Sequence, residues 1–136
     1  MIEELNIYSD GGARGNPGPS GTGVVIETVE GKRLYEKGEF IGVGTNNKAE
    51  YTALIKALKL ADLYGAKSLN CYLDSELVVK QLKGEYKVKN PALKSLHKQV
   101  RTLEEGFSSV EYFHVKREHE KIKIADRLVN QAIDER

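Results

Sequence analysis

The chain carries a single cysteine, Cys71, in 136 residues. One cysteine allows no internal disulfide and leaves too few soft ligands for a structural zinc. Placed on the same strand face as Leu69 and Leu73, it reads as a buried apolar side chain. Long hydrophobic runs are also missing, since none approaches the roughly 18 apolar residues needed to cross a bilayer. The opening Met1-Ile2-Glu3-Glu4 is acidic where a secretory leader would be basic, so the chain is expected in the cytoplasm and away from membranes. Charge of one sign is scarce: the formal net charge is +1, which by itself does not announce a nucleic-acid binder. What is present, 40% hydrophobic and 30% charged residues, excludes intrinsic disorder. The length fits one domain, and there is no internal repeat or linker, so a monomeric single domain over residues 1–136 is expected.

Cations do cluster between Leu77 and Lys123, where Lys80, Lys83, Lys87, Lys89, Lys94, Lys98, Arg101, Lys116, Arg117, Lys121 and Lys123 outnumber the acids. Such a surface could meet phosphates. Charge alone favours plain solvation of helix faces.

Hydrophobic periodicity orders the chain as βββαβααβα. Leu5 and Ile7 alternate with Asn6 and Tyr8 up to Asp10-Gly11-Gly12, a strand closed by a turn. Gly15-Asn16-Pro17-Gly18-Pro19-Ser20-Gly21 cannot be helical, and Gly23 to Ile26 with Leu34-Tyr35 reads as a β-hairpin around Glu30-Gly31-Lys32. Asn46-Asn47 opens a helix with Leu54, Ala57, Leu58 and Ala61 on one face and Gly65 at its end. Leu69, Cys71 and Leu73 make a fourth strand, which a helical crossover can place parallel to the first. Val78, Val79 and Leu82 mark a short helix, and Asn90-Pro91 caps a third carrying Leu93, Leu96, Val100 and Leu103. Val110, Tyr112 and His114 alternate as a fifth strand. Lys116 to Lys123 is a loop or helix entry, and Ala125, Leu128, Val129, Ala132 and Ile133 stripe a terminal helix begun by Asp126. The fold class is therefore one α/β domain with a mixed five-stranded sheet.

In such sheets the site lies at the C-terminal ends of parallel strands. Asp10 and Asp74 end the two strands paired in parallel, Glu50 lies in the first turn of the crossover helix, and Asp126 opens the last one. Converging acids without matching cations repel one another unless a divalent metal neutralises them. Oxygen ligands without cysteine favour Mg²⁺ or Mn²⁺. Each acid also has a plain structural role open to it: Asp74 as a helix cap, Glu50 in a capping box with Asn47, Asp126 complementing a helix dipole, Asp10 serving the glycine turn. Gly12, Gly15 and Gly18 do not form a dinucleotide loop, because prolines and a strand follow them where that motif needs a helix.

Taken together, Asp10-Gly11-Gly12 with Asn16-Pro17-Gly18, Thr45-Asn46-Asn47-Lys48-Ala49-Glu50-Tyr51, Asp74-Ser75-Glu76-Leu77-Val78 and Ala125-Asp126-Arg127-Leu128 resemble the motifs of type 1 ribonucleases H, in that family's order and across the whole chain. The resemblance implies a ribonuclease H-like sheet of order 3-2-1-4-5 flanked by helices. It implies an endonuclease that cuts the RNA strand of RNA/DNA hybrids with two Mg²⁺ ions, Mn²⁺ substituting, to leave 5′-phosphate and 3′-hydroxyl ends. Asp10, Glu50, Asp74 and Asp126 would hold the metals. Asn16, Asn46 and Asn47, with Arg14 in the same loop, would meet the substrate.

Two departures accompany the resemblance. Glu76 stands where many relatives have Gln, which puts an acid near a base edge or phosphate. Arg117-Glu118-His119-Glu120-Lys121-Ile122-Lys123-Ile124 is two residues longer than the Arg-Glu-x-Asn-Lys-x run common before the last aspartate. His119 is the one candidate for a proton-transferring histidine on a loop, its alternative being a solvated side chain; His97 and His114 fall in a helix and a strand. A silent binding domain of this fold, or another metal nuclease such as a resolvase or integrase core, are the competing readings. All four acids argue against the first, and the three asparagines against the second.

Overall fold

A computed structural model describes residues 2–136; Met1, part of the acidic opening noted above, lies outside the described residues. The strands are β1 (Glu4–Ala13), β2 (Gly18–Thr28), β3 (Arg33–Gly44), β4 (Ser68–Leu73) and β5 (Ser109–His114). The helices are α1 (Asn46–Leu63), α2 (Glu76–Leu82), α3 (Pro91–Glu104) and α4 (Glu120–Asp134). The strands join in one sheet of order β3-β2-β1-β4-β5, antiparallel among the first three and parallel from β1 to β4 to β5. This is the expected architecture and the expected switch point: β1 is the strand at which a meander meets a parallel crossover.

The alternation of β1 explains how the sheet is covered. Leu5 and Ile7 are fully buried on the face shared with α1, joined there by Leu69, Cys71 and Leu73 of β4. Tyr8 points to the other face, where Val25, Ile122 and Ala125 bury it beneath α4. Half of the residues of α1 are buried, including Leu54, Ala57, Leu58 and Ala61. The sheet lies on one side and α3 on another, and small alanines let both approach. Gln81 is buried with this core and its Oε1 accepts from the Tyr51 hydroxyl at 2.7 Å, so the polar amide has a partner where water cannot reach.

Element ends differ from expectation in physically readable ways. β1 runs on past Asp10 to Ala13, and β2 begins already at Gly18, because Gly12 pairs with Gly21 and Ala13 with Ser20. Helix α4 starts at Glu120, so Asp126 sits in its second turn rather than at its start. The helix-capping roles fall to other residues than the acids: the Thr45 side chain accepts from the Lys48 amide and Ser75 from the Val78 amide. Glu50 and Asp74 are thereby free of capping duty. Asn90 caps α3 as expected, with Pro91 first in the helix.

Candidate metal centre and nucleic-acid cleft

Parallel pairing of β1 with β4 ends at Tyr8 and Tyr72. Both chains continue past this point, so Asp10, two residues on, and Asp74, immediately after β4, emerge side by side at the same sheet end. Glu50 arrives from the first turn of α1. Ligand oxygens of Asp10, Glu50 and Asp74 all lie within 4.8 Å of one another. Asp126 lines the same cleft from α4, together with Gly11, Gly12, Asn46, Asn47, Ser75 and Arg117, around a cavity of about 360 Å³. The four acids expected from sequence are thus brought to one place, three as a tight trio and the fourth across from them.

Burial makes this cluster costly while it is charged. Asp10 is 5% exposed and Glu50 6%. Desolvation first, and then the neighbouring Asp74 charge, raises the Asp10 carboxyl from its ordinary 3.8 to about 7. Glu50 is raised well above its usual range, again by desolvation first and then by Asp10. The Gly11 amide donates to Glu50 Oε1 at 3.3 Å, but Glu50 Oε2 is buried with no hydrogen-bond partner. An orphaned carboxylate oxygen in a dry, all-oxygen cluster suits a hard divalent cation, which would supply the missing partner and the missing positive charge. Arg117 lies beside the cluster, with Nε 4.0 Å from Asp74 Oδ2 and a largely exposed side chain.

The asparagines form a linked strap at the rim. Asn16 Oδ1 accepts from the Asn46 amide at 3.0 Å, and Asn46 Oδ1 accepts from the Ala13 amide at 2.8 Å. With both carbonyl oxygens used internally, the two side-chain NH₂ groups are the donors that remain for a ligand. Asn47 lines the cleft itself.

The remaining candidates are placed differently. Arg14 turns away to α4, donating to Asp134 and to Asn130. Glu76 is exposed in the first turn of α2 and paired with Lys80 at 3.0 Å, which together with its hydrogen bond holds its carboxyl below the usual range. His119 is the N-cap of α4: its Nδ1 accepts from the Lys121 amide at 3.1 Å. Its ring stacks on Tyr8 at 5.6 Å between centroids and lies 6.4 Å from Tyr72. It is not among the residues lining the acidic cleft. His119 thus ends the loop before α4, as expected, and there its side chain caps the helix. Arg117 and Ser75, which do line the cleft, were not singled out by sequence, although both lie inside the quoted motifs.

A family model described as Reverse transcriptase-like matches residues 8–132. Among curated proteins, the Bifunctional protein Rv2228c of Mycobacterium tuberculosis (strain ATCC 25618 / H37Rv) is 43% identical over 129 residues, covering 94% of this chain and 35% of that protein. Ribonuclease HI of Halobacterium salinarum (strain ATCC 700922 / JCM 11081 / NRC-1) is 40% identical over 131 residues, covering 96% of this chain and 65% of that protein. The chain thus spans about one third to two thirds of the length of these relatives. Among solved structures, RNase H1 from the halophilic archaeon Halobacterium salinarum NRC-1 superposes with a TM-score of 0.93 at 39% identity, covering 98% of this chain and 99% of that one. LC11-RNase H1 in complex with RNA/DNA hybrid gives 0.90 at 44% identity, covering 96% and 97%. The fold and the acidic cleft define a ribonuclease H-like protein. Within that class, the chain belongs to the type 1 ribonuclease H family.

Proposed function

We propose that this chain is a metal-dependent endonuclease that hydrolyses the RNA strand of RNA/DNA hybrids, leaving 5′-phosphate and 3′-hydroxyl ends, with residues 1–136 as a single catalytic domain. The observation that carries the reading is the trio Asp10, Glu50 and Asp74 within 4.8 Å, two of them buried, with one buried oxygen unpartnered. In this proposal Asp10, Glu50, Asp74 and Asp126 hold two Mg²⁺ ions, for which Mn²⁺ can substitute. When bound, such ions supply Lewis-acid activation of the attacking water and neutralise charge on the leaving 3′ oxygen.

The protein's own part is placement. Burial and mutual repulsion raise the carboxyls of Asp10 and Glu50, so a cation held there would favour release of their protons and offset the charge of the cluster. The remaining NH₂ donors of Asn16 and Asn46 suit minor-groove acceptors and the 2′-hydroxyl oxygen, the group that distinguishes RNA from DNA. Arg117, beside Asp74 at the cleft, suits the phosphate about to be cut. Arg14 anchors the Asn16 loop to α4, and Glu76, paired with Lys80, follows the cleft-lining Ser75 in the chain. The proposed catalytic set is the four carboxylates, with His119 as the cap of the helix bearing Asp126. All four acids come from one chain, which accords with a working monomer; a cytoplasmic location remains part of the proposal.

The test is cleavage of labelled RNA/DNA hybrid, duplex RNA, duplex DNA and single-stranded RNA in Mg²⁺. Cutting confined to the RNA strand of the hybrid supports the reading, and preference for any other substrate refutes it.

A further inference from the structure

Asp126 differs from the other three acids in how it reaches the site. Asp10, Glu50 and Asp74 form a tight trio, whereas Asp126 rides on α4, a helix docked on the opposite face of the sheet from α1. Its place therefore depends on how α4 sits.

The seat of α4 is specified by the strand next to Asp10. In the β1–β2 ladder, Asp10 pairs with Gly23. A Cβ at Gly23 would lie 2.1 Å from the carbonyl oxygen of Ala125, the residue before Asp126. Helix backbone thus rests directly on strand backbone, at the residue paired with Asp10 in the ladder. Gly38 of β3 seats Leu128 in the same way, at 2.3 Å from its carbonyl oxygen. A second tie fixes the start of the helix. Glu27, with a side chain only 3% exposed, accepts from Lys121 Nζ at 3.0 Å, and Arg33 holds the same oxygen.

We propose that Gly23 and the Glu27–Lys121 pair are positioning residues for the metal centre: together they hold α4 at the height and turn that set Asp126 against Asp10. This rests on the reading of Asp126 as a metal ligand. Gly23 acts by what it lacks, since any side chain there must lift the helix or bend the strand. Lys121 acts by pinning α4 five residues before the carboxylate, a little over one turn.

The test compares Gly23→Ala, Lys121→Met, Asp126→Asn and the two pairwise combinations with Asp126→Asn. Mn²⁺ binding to each protein is followed by calorimetry, and the single-turnover rate on hybrid is followed as a function of Mn²⁺. Positioning through Asp126 predicts that Gly23→Ala lowers Mn²⁺ affinity, and so raises the Mn²⁺ concentration needed for cleavage, by about tenfold or more, as loss of a ligand's supporting contacts does, and Lys121→Met by less. Added to Asp126→Asn, either change then has little further effect on metal, while their costs in urea stability add. Parent-like metal behaviour in folded Gly23→Ala, or metal effects that multiply independently with Asp126→Asn, would overturn the proposal. Should Gly23→Ala fail to fold, Lys121→Met decides by the same criterion, because Arg33 still partners Glu27 and keeps that variant folded. A parent protein that neither bound Mn²⁺ nor cut hybrid would instead sink the functional reading itself.

Discussion

Gly11 donates its amide to Glu50 Oε1 at 3.3 Å, and a Cβ at Gly11 would stand 2.2 Å from the Ala49 carbonyl carbon and oxygen. Contact of this closeness lets the first turn of α1 lie against the end of β1, so that the acid of the helix reaches the acid of the strand. Gly11→Ala is expected to push that turn away and displace Glu50. A misplacement of about 1 Å costs roughly 10²-fold in rate. Hybrid cleavage should fall by at least that much, whereas hybrid affinity, measured in EDTA, should change far less.

The buried acids predict an unusual dependence of stability on pH. For Asp10 the folded pKa of about 7 lies above the ordinary 3.8, so the folded protein keeps a proton that the unfolded chain has released. The associated stability is full below the unfolded pKa and is lost as pH rises toward the folded one. In EDTA, urea stability should therefore decline between about pH 4 and about pH 7, by on the order of 3 to 4 kcal/mol. Asp10→Asn should flatten that decline, and Mg²⁺ should restore stability to the parent above neutral pH by binding only the folded state. A parent protein whose stability rises across this window in EDTA would contradict the account.

Asn16 allows its substrate role to be separated from its structural one. Asn16→Asp keeps the oxygen that accepts from the Asn46 amide but removes the NH₂ donor and adds a charge. Melting temperature should stay near the parent value. The KM for hybrid should rise about tenfold or more, the equivalent of one lost hydrogen bond plus repulsion from phosphates. An unchanged KM would place Asn16 wholly in the scaffold.

His119 is expected to matter for stability rather than for proton transfer. Its Nδ1 caps α4 and its ring covers Tyr8, and a helix cap contributes about 1 kcal/mol. His119→Ala should lower unfolding free energy by about that amount, and His119→Asn, which keeps a capping acceptor, should recover much of it. Turnover at saturating hybrid should fall by much less than the roughly 10²-fold that loss of a general acid or base costs. A larger fall, with stability intact, would return His119 to the chemistry.

Much of this was legible in the sequence because the informative residues sit at element ends. Asp10, Asp74 and Glu50 could be placed together once Leu69, Cys71 and Leu73 were read as a strand parallel to β1. The start of α4 was hidden, since Lys116 to Lys123 is too charged to show an apolar period and its cap is a histidine instead of Ser, Thr, Asp or Asn. The seat of α4 was hidden more deeply. Gly23 looks like any strand glycine until Ala125 is seen above it, and Glu27 and Lys121 are 94 residues apart. Pairings of that range leave no mark in local pattern.

The central claim, that a cluster of acids uses metal to cut the RNA strand of a hybrid, is tested most directly by single-turnover cleavage of end-labelled hybrid. Parent and Asp10→Asn proteins are compared across a Mg²⁺ titration and in EDTA. The account predicts metal-dependent cutting by the parent, no cutting in EDTA, and a rate for Asp10→Asn lower by at least about 10³-fold, matching the several kcal/mol that metal ions supply to the transition state. Undiminished cleavage in EDTA, or a near-parent rate for Asp10→Asn at saturating Mg²⁺, would contradict it.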